Sequence, residues 1–286
     1  MRYLDHFIFP DSDQEFDFFM SVVRTCYDSF YPFKILAQKD FHRIDFEPIT
    51  ILYGGNGSGK TTVLNVIAEK LKISREAIYN RSNFFEDYTS LCKVKTNREL
   101  PEESRIITSD DVFDYMLNIR TWNEGIDGKR EALFQDYLET KYSTFQMQSL
   151  DDYEQLKKVN MAKGRTQSKF VRNRLMDNVR ERSNGESAFM YFTEKIKKNA
   201  LYLLDEPENS LSAKNQIGLV KFLEDSARFF NCQFVISTHS PFLLSLRGAK
   251  IYDMDENPVD IKKWTELETV RIFSDFFKSH EEEFDR

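Results

Sequence analysis

Residues 49–71 read ITILYGGNGSGKTTVLNVIAEKL, and their reading decides the fold. Ile49–Tyr53 is a short apolar run, β-branched in part, that leads straight into glycines. That pattern predicts a buried strand ending in a loop. In Thr62–Leu71, the residues Val63, Leu64, Ile67, Ala68 and Leu71 recur at helical spacing, so the loop opens a helix. Between the two, Gly54, Gly59, Lys60 and Thr61 satisfy G-x-x-x-x-G-K-[ST]. Glycines let the backbone turn tightly and aim its N–H groups at an anion, and the helix adds the positive end of its dipole. Gly54, Gly55, Asn56, Gly57, Ser58, Gly59, Lys60, Thr61 and Thr62 are therefore expected to cradle phosphates. Lys60 is placed for the β- and γ-phosphates of a nucleotide, and the Thr61 hydroxyl for Mg²⁺, which prefers oxygen donors.

A second group lies downstream. Leu201–Leu204 is a four-residue apolar strand that delivers Asp205 and Glu206 at its C-terminal end, where open α/β sheets bind ligands. Asp205 is expected to hold Mg²⁺ through water, and Glu206 to polarise an attacking water. A strand ending in Asp-Glu is common, and its weight here comes from the phosphate loop before it. Phe234–Ser237 is another buried strand, followed by His239 in Ser-Thr-His-Ser. A lone histidine is more often structural than catalytic, but one at the next strand end can sense a terminal phosphate or orient a nucleophile. His6, His42 and His280 have no such context.

Strands alternating with helices imply an α/β fold with a mainly parallel sheet covered on both faces. Tyr3–Phe9 and Phe41–Phe46 look extended, with a short helix expected over Phe16–Tyr27. From Ser74 to Arg182 the chain turns polar and helical, interrupted by a strand at Arg105–Thr108. Ser109 and Asp110 suit the start of a helix over Val112–Ile119, and Trp122–Gly128, with its two glycines, suggests a turn. Further helices are expected over Arg130–Tyr142, Gln167–Arg182 and Ala213–Phe230. The division expected is 1–74 as a β part with the phosphate-loop half of the core, 75–182 as a helical insertion, and 183–286 as the other half.

No apolar run approaches the ~20 residues of a membrane span, and the N-terminus lacks a signal-peptide pattern. Cys26, Cys92 and Cys232 are scattered without metal-ligand spacing, which points to a reduced, cytoplasmic setting. The formal charge of −7 argues against a sequence-blind coat for DNA.

With these residues in view, the chain resembles the ABC-type ATPases, and in particular small stand-alone bacterial ATPases of the ABC/AAA group. Those are distant relatives of recombination-repair and chromosome-clamp ATPases. The likeness covers 30–75 and nearly all of 183–280, including IYDMDENPVD and WTELETVRIFSDFF of the tail. It implies a P-loop NTPase fold with an N-terminal antiparallel β part and a helical insertion. It also implies that SNGES at 183–187 is a variant signature motif, so that Ser183, Gly185 and Glu186 contact the γ-phosphate held by a second subunit. Read without that likeness, the same stretch is a turn capping a helix over Glu186–Lys197. Asn209, Ser210 and Leu211 resemble the loop that crosses the dimer interface, Glu206 the catalytic glutamate and His239 the switch histidine.

The resemblance thus implies a homodimer closed around ATP and Mg²⁺ and reopened by hydrolysis. It also places the chain with a protein partner in nucleic-acid-linked work such as antiviral defence or DNA repair. Two family features lack a clear counterpart. Gln146 and Gln148 are available for the glutamine loop, yet Ser109–Asp110–Asp111 after the Arg105–Thr108 strand sits where that loop belongs. Several early aromatics could stack on adenine. Between Lys157 and Arg182 lie Lys163, Arg165, Lys169, Arg172, Arg174 and Arg180. This stretch could meet a nucleic-acid backbone, but a solvated helix face is the plainer reading. Other classes remain open: a transporter's nucleotide-binding subunit, or an ATP-gated scaffold with slow turnover. The absence of N-K-x-D argues against a GTPase.

Overall fold

The computed structural model describes residues 2–23, 26–142, 153–164, 166–172, 175 and 184–284. Two compact units emerge, one comprising Met1–Phe113 with Asn184–Arg286 and the other Asp114–Ser183.

The first unit holds a six-stranded sheet and a three-stranded one. In the larger, the order is β5 (Arg105–Thr108), β6 (Leu201–Asp205), β7 (Gln233–Thr238), β3 (Ile49–Tyr53), β8 (Lys250–Asp253) and β9 (Asp260–Lys262). The first five run parallel and β9 returns antiparallel to β8. Every residue of β3, β6 and β7 is buried. Strands covered on both faces read as continuous apolar runs, which is why these three were visible in the sequence. The smaller sheet is antiparallel, with β1 (Leu4–Ile8) between β2 (Arg43–Asp45) and β4 (Lys93–Thr96). Residues 75–113, assigned from the sequence to the insertion, thus supply a strand to each sheet.

Helix α2 (Lys60–Leu71) follows the phosphate loop and buries Thr62–Ala68. Leu52, Val63, Leu64, Val66, Ile67, Leu203 and Val235 share one core with Phe7, Phe9, Phe33, Phe41, Phe46, Phe84 and Phe85. The early aromatics are thus mostly core: Phe18 stacks on Phe33 with centroids 4.4 Å apart, and Phe33 meets Tyr88 edge-on.

Two local expectations need correction. Helix α1 spans Ser12–Ser21, a turn ahead of its expected place, because Asp11 and Gln14 form a reciprocal capping box at its start. Trp122–Gly128 is not a turn. It lies inside α4 (Ser109–Tyr142), and a Cβ on Gly125 or Gly128 would meet nothing within 4 Å among the described residues. A helical glycine costs only about 1 kcal/mol against alanine, which the strong helix formers on either side outweigh.

In the first unit α3 (Phe85–Leu91) follows α2 in the sequence. The second unit contains the remainder of α4, α5 (Tyr153–Gly164) and α6 (Gln167–Arg172). Tyr137, Ala162, Phe170 and Val171 form its core, with Leu133, Phe134, Met161 and Leu175 packed against them. The helix expected over Gln167–Arg182 is described as far as Arg172; Arg165, Arg174, Arg180 and Arg182 lie outside the described residues, as do Gln146 and Gln148. Returning to the first unit, α7 (Asn184–Lys195) precedes β6, and α8 (Ala213–Phe229) joins β6 to β7. Short α9 (Pro241–Leu244), α10 (Glu268–Ser279) and α11 (Glu281–Phe284) complete the chain order.

One buried side chain joins the two sheets. Gln233, at the start of β7 and 0% exposed, accepts from the Tyr3 and Leu4 amides at 2.7 and 2.8 Å. Its amide nitrogen donates to the Leu4 and Glu47 carbonyls at 2.9 and 3.1 Å. Gln233→Leu strips all four backbone groups of their partner and is expected to lower stability by about 3 kcal/mol, measured by urea unfolding.

Candidate functional site

Three neighbouring strands end together. In the sheet register Tyr53 of β3 stands beside Thr238 of β7, and Asp205 of β6 beside Ser237. The loops that leave these ends carry the phosphate-loop residues, Asp205–Glu206 and His239.

The loop begins at Gly54, whose φ is +154°. A Cβ there would lie 2.7 Å from Ser58 Oγ, so only glycine permits the return of the chain on itself. From the first position of α2, Lys60 is 4% exposed and folds back over the loop, donating to the Gly54 and Gly55 carbonyls at 2.7 and 2.9 Å. Its Nζ lies 3.6 Å from Glu206 Oε1. Asn56, Gly57, Gly59, Lys60, Thr61 and Thr62 line a cleft of about 310 Å³, together with Ile35 and Glu206. Thr62 Oγ1 accepts from the Tyr31 hydroxyl at 3.2 Å, which brings one of the early aromatics to the loop helix. From the tail, Asp255 accepts from the Gly55 amide through both oxygens, at 3.0 and 2.8 Å.

Thr61 Oγ1 donates to Asp205 Oδ1 at 3.0 Å, and Ser237 Oγ donates to the same oxygen. Burial pushes the Asp205 carboxyl above the usual carboxylate range, and these two donors only partly oppose it. A hydroxyl and a carboxylate oxygen side by side form an all-oxygen donor pair, which suits Mg²⁺. No group of three or more His, Cys, Asp or Glu among the described residues could hold a metal unaided. Mg²⁺ commonly takes only one or two protein ligands and completes its shell with water and substrate phosphates, so the pair fits.

Glu206 has φ +46°, a left-handed backbone unusual for this residue. Its amide donates to the Ser237 carbonyl at 3.0 Å and hydroxyl at 3.1 Å, and its carboxylate accepts from Asn209 Nδ2 at 3.0 Å. His239 Nδ1 lies 4.0 Å from Glu206 Oε1.

Gly185 and Glu186 lie in the first turn of α7, and Ser183 lies outside the described residues. A Cβ on Gly185 would stand 2.8 Å from Asn215 Nδ2 and 3.5 Å from the Ser212 amide. This glycine thus lets the helix start press against residues 210–215. Asp111, at the glutamine-loop position, caps its own helix: Oδ2 accepts from the Thr108 amide and hydroxyl at 2.7 and 2.9 Å. Its Oδ1 is buried without a hydrogen-bond partner among the described residues.

Sequence reasoning overlooked Ser237, Glu208 and Asp255. Ser237 was recoverable in principle, since parallel strands ending in register set its hydroxyl beside Asp205. Glu208 is the second glutamate of Asp-Glu-Pro-Glu, and only the fold reveals that it turns towards the end of β7.

The sequence matches the family described as ABC transporter over residues 43–209, more than half of the chain, and that described as AAA ATPase domain over 179–244. No curated protein matches. Among solved structures, a Pyrococcus furiosus Smc head domain bound to the C-terminal domain of ScpA is 13% identical. That alignment covers 82% of this chain and 94% of the other, with a TM-score of 0.38. An SMC head from Thermotoga maritima is 14% identical, covering 77% and 92%, with a TM-score of 0.36. A dimeric ATP-binding cassette bound to ADP and Pi is 15% identical, covering 79% and 90%, with a TM-score of 0.35. Such distant likenesses do not bear on function. Among the described residues no helix is long and apolar enough to cross a membrane.

The raised Asp205 carboxyl makes a test. A group whose folded pKa lies above its unfolded value stabilises the fold below the unfolded pKa and loses that contribution as pH rises. Asp205→Asn is therefore expected to raise the melting temperature of nucleotide-free protein at pH 7. Thermal scans should show this gain shrinking as pH falls towards the normal aspartate range and the native carboxyl takes up its proton.

Proposed function

The chain belongs to the ABC transporter family and is an ATPase of that type, and from this premise we propose how its own residues bind and hydrolyse ATP. The observation that carries the proposal is the junction of strand ends, with Thr61 Oγ1 3.0 Å from Asp205 Oδ1 and Lys60 Nζ 3.6 Å from Glu206 Oε1. The amides of 54–62 and the start of α2 receive the β- and γ-phosphates, and Lys60 neutralises charge between them. Thr61 and Asp205 would hold Mg²⁺, which when bound offsets charge on the same phosphates. Glu206 orients a water and accepts its proton as the water oxygen bonds to the γ-phosphorus and the bond to the ADP oxygen breaks. His239 contacts the γ-phosphate or that water.

One chain supplies half of this environment. Ser183, Gly185 and Glu186 act on the γ-phosphate held by a second copy, and Asn209, Ser210 and Leu211 cross between copies. The close approach of Gly185 to residues 210–215 supports this, since it joins both segments into one patch. A two-fold axis then buries two nucleotides in a closed dimer. ATP closes it and hydrolysis opens it. We place this switch in a nucleic-acid-linked process such as antiviral defence or DNA repair, working on a protein partner, by resemblance of its motifs to recombination-repair ATPases.

Glu206→Gln is expected to retain ATP binding, lose about 100-fold or more in turnover, and elute as a dimer with ATP in size exclusion. A monomeric variant with unchanged turnover overturns the assignment. Mixing Lys60→Ala with Ser183→Arg chains leaves one composite site with both faces native. Activity of the mixture above either parent is expected, and its absence would remove the signature from the shared site.

A further inference from the structure

Glu208 belongs to the segment after β6, yet its carboxylate serves the turn after β7. The side chain is 5% exposed. Its Oε1 accepts from Thr238 Oγ1 at 2.6 Å, from the His239 amide at 3.0 Å and from the Ser240 amide at 3.3 Å. The same oxygen stands 3.6 Å from His239 Nδ1. Oε2 is buried and has no hydrogen-bond partner among the described residues. Burial pushes this carboxyl up, against the donors that converge on it. Ser240 caps α9 through its own hydroxyl, whereas the His239 amide and the Thr238 hydroxyl have Glu208 as their acceptor. The carboxylate therefore fixes the backbone at His239 and Ser240 and at the same time stands beside the Nδ1 edge of the ring.

A second link reinforces the first. Ser240 Oγ donates to Gln216 Oε1 at 2.6 Å, and Gln216 Nε2 donates to the Leu211 carbonyl at 3.0 Å. The segment from Glu208 to Leu211 and the turn from Thr238 to Ser240 are thus tied at both ends. His239 is about half exposed at the ring, with its Nδ1 edge towards the two glutamates, so by ring geometry the Nε2 edge faces away from them.

We infer that Glu208 is a positioning residue for His239, seating its backbone and holding the Nδ1 edge inward so that Nε2 is presented to the γ-phosphate. The inference rests on the role given to His239 above. Glu208 touches no nucleotide in this arrangement and acts through the ring.

The test is a double-mutant cycle on full-length protein, with ATP turnover and ATP affinity measured for Glu208→Gln, His239→Ala and the pair. Glu208→Gln keeps the shape and an accepting oxygen and is expected to lower kcat about 10-fold. KM should stay within about twofold, as for an interaction made only in the transition state. In the His239→Ala background the same change should cost nothing further, whereas a merely structural role would cost as much again. A His239→Ala enzyme with native turnover removes the role of His239 and the inference with it. A slow His239→Ala enzyme that slows a further 10-fold on Glu208→Gln, to about 1% of native turnover, removes Glu208 alone and leaves the histidine's role standing. Should Glu208→Gln fail to fold, ¹⁵N spectra of the native protein decide. A proton on Nδ1 of His239 supports the inference, and a bare Nδ1 overturns it.

Discussion

The parallel pairing of β3, β7 and β6 in one register is the constraint on which the site depends. Each strand by itself ends in an ordinary loop. Side by side, they bring a lysine, a threonine hydroxyl, two carboxylates and an imidazole from residues 60 to 239 within a few ångströms. Because side chains alternate along a strand, a slip of one residue between β6 and β7 would carry Ser237 away from Asp205 and exchange the two buried faces of the slipped strand, so that every side chain meets the wrong packing partners. Complete burial of all three strands makes such a slip costly, so the apolar runs that hold the sheet together also set the geometry of the chemistry.

That geometry works against stability. Asp205 and Glu208 are both buried carboxyls whose ionisation is opposed by their surroundings. Glu206 adds a left-handed backbone that costs on the order of 1 kcal/mol. Hydroxyls of Thr61, Ser237 and Thr238 offset part of the burden with hydrogen bonds. Unfavourable groups gathered at the C-terminal ends of β6 and β7 are the usual mark of a site shaped by function.

Much of this was legible in the sequence. The phosphate loop, the Asp205–Glu206 strand end and His239 announce themselves because each couples an apolar strand to residues that suit poorly with simple packing. What escaped detection depends on contacts distant in sequence. Gln233 reads as one polar residue at a strand start, and nothing nearby hints that it serves four backbone groups around residues 3, 4 and 47. Glu208 looks like a solvated turn residue until β7 is laid beside β6. The glycines at 125 and 128 misled for the opposite reason, since local turn preference lost to a long helix. Several aromatics before residue 50 could stack on adenine by sequence; most of them pack in or against the core, and the Tyr31 hydroxyl reaches Thr62 of the loop helix.

Gln233 sits at one end of β7 and His239 immediately beyond the other. Tyr3 and Leu4, which it grips, are therefore mechanically in series with the turn that carries His239, through a single strand of six residues. Loss of the contacts from Gln233 to Tyr3 and Leu4 would loosen the anchorage of that strand, leaving its far tip more mobile. An enzyme damaged in this way could still hold nucleotide normally and yet fire erratically, with every residue that meets ATP intact.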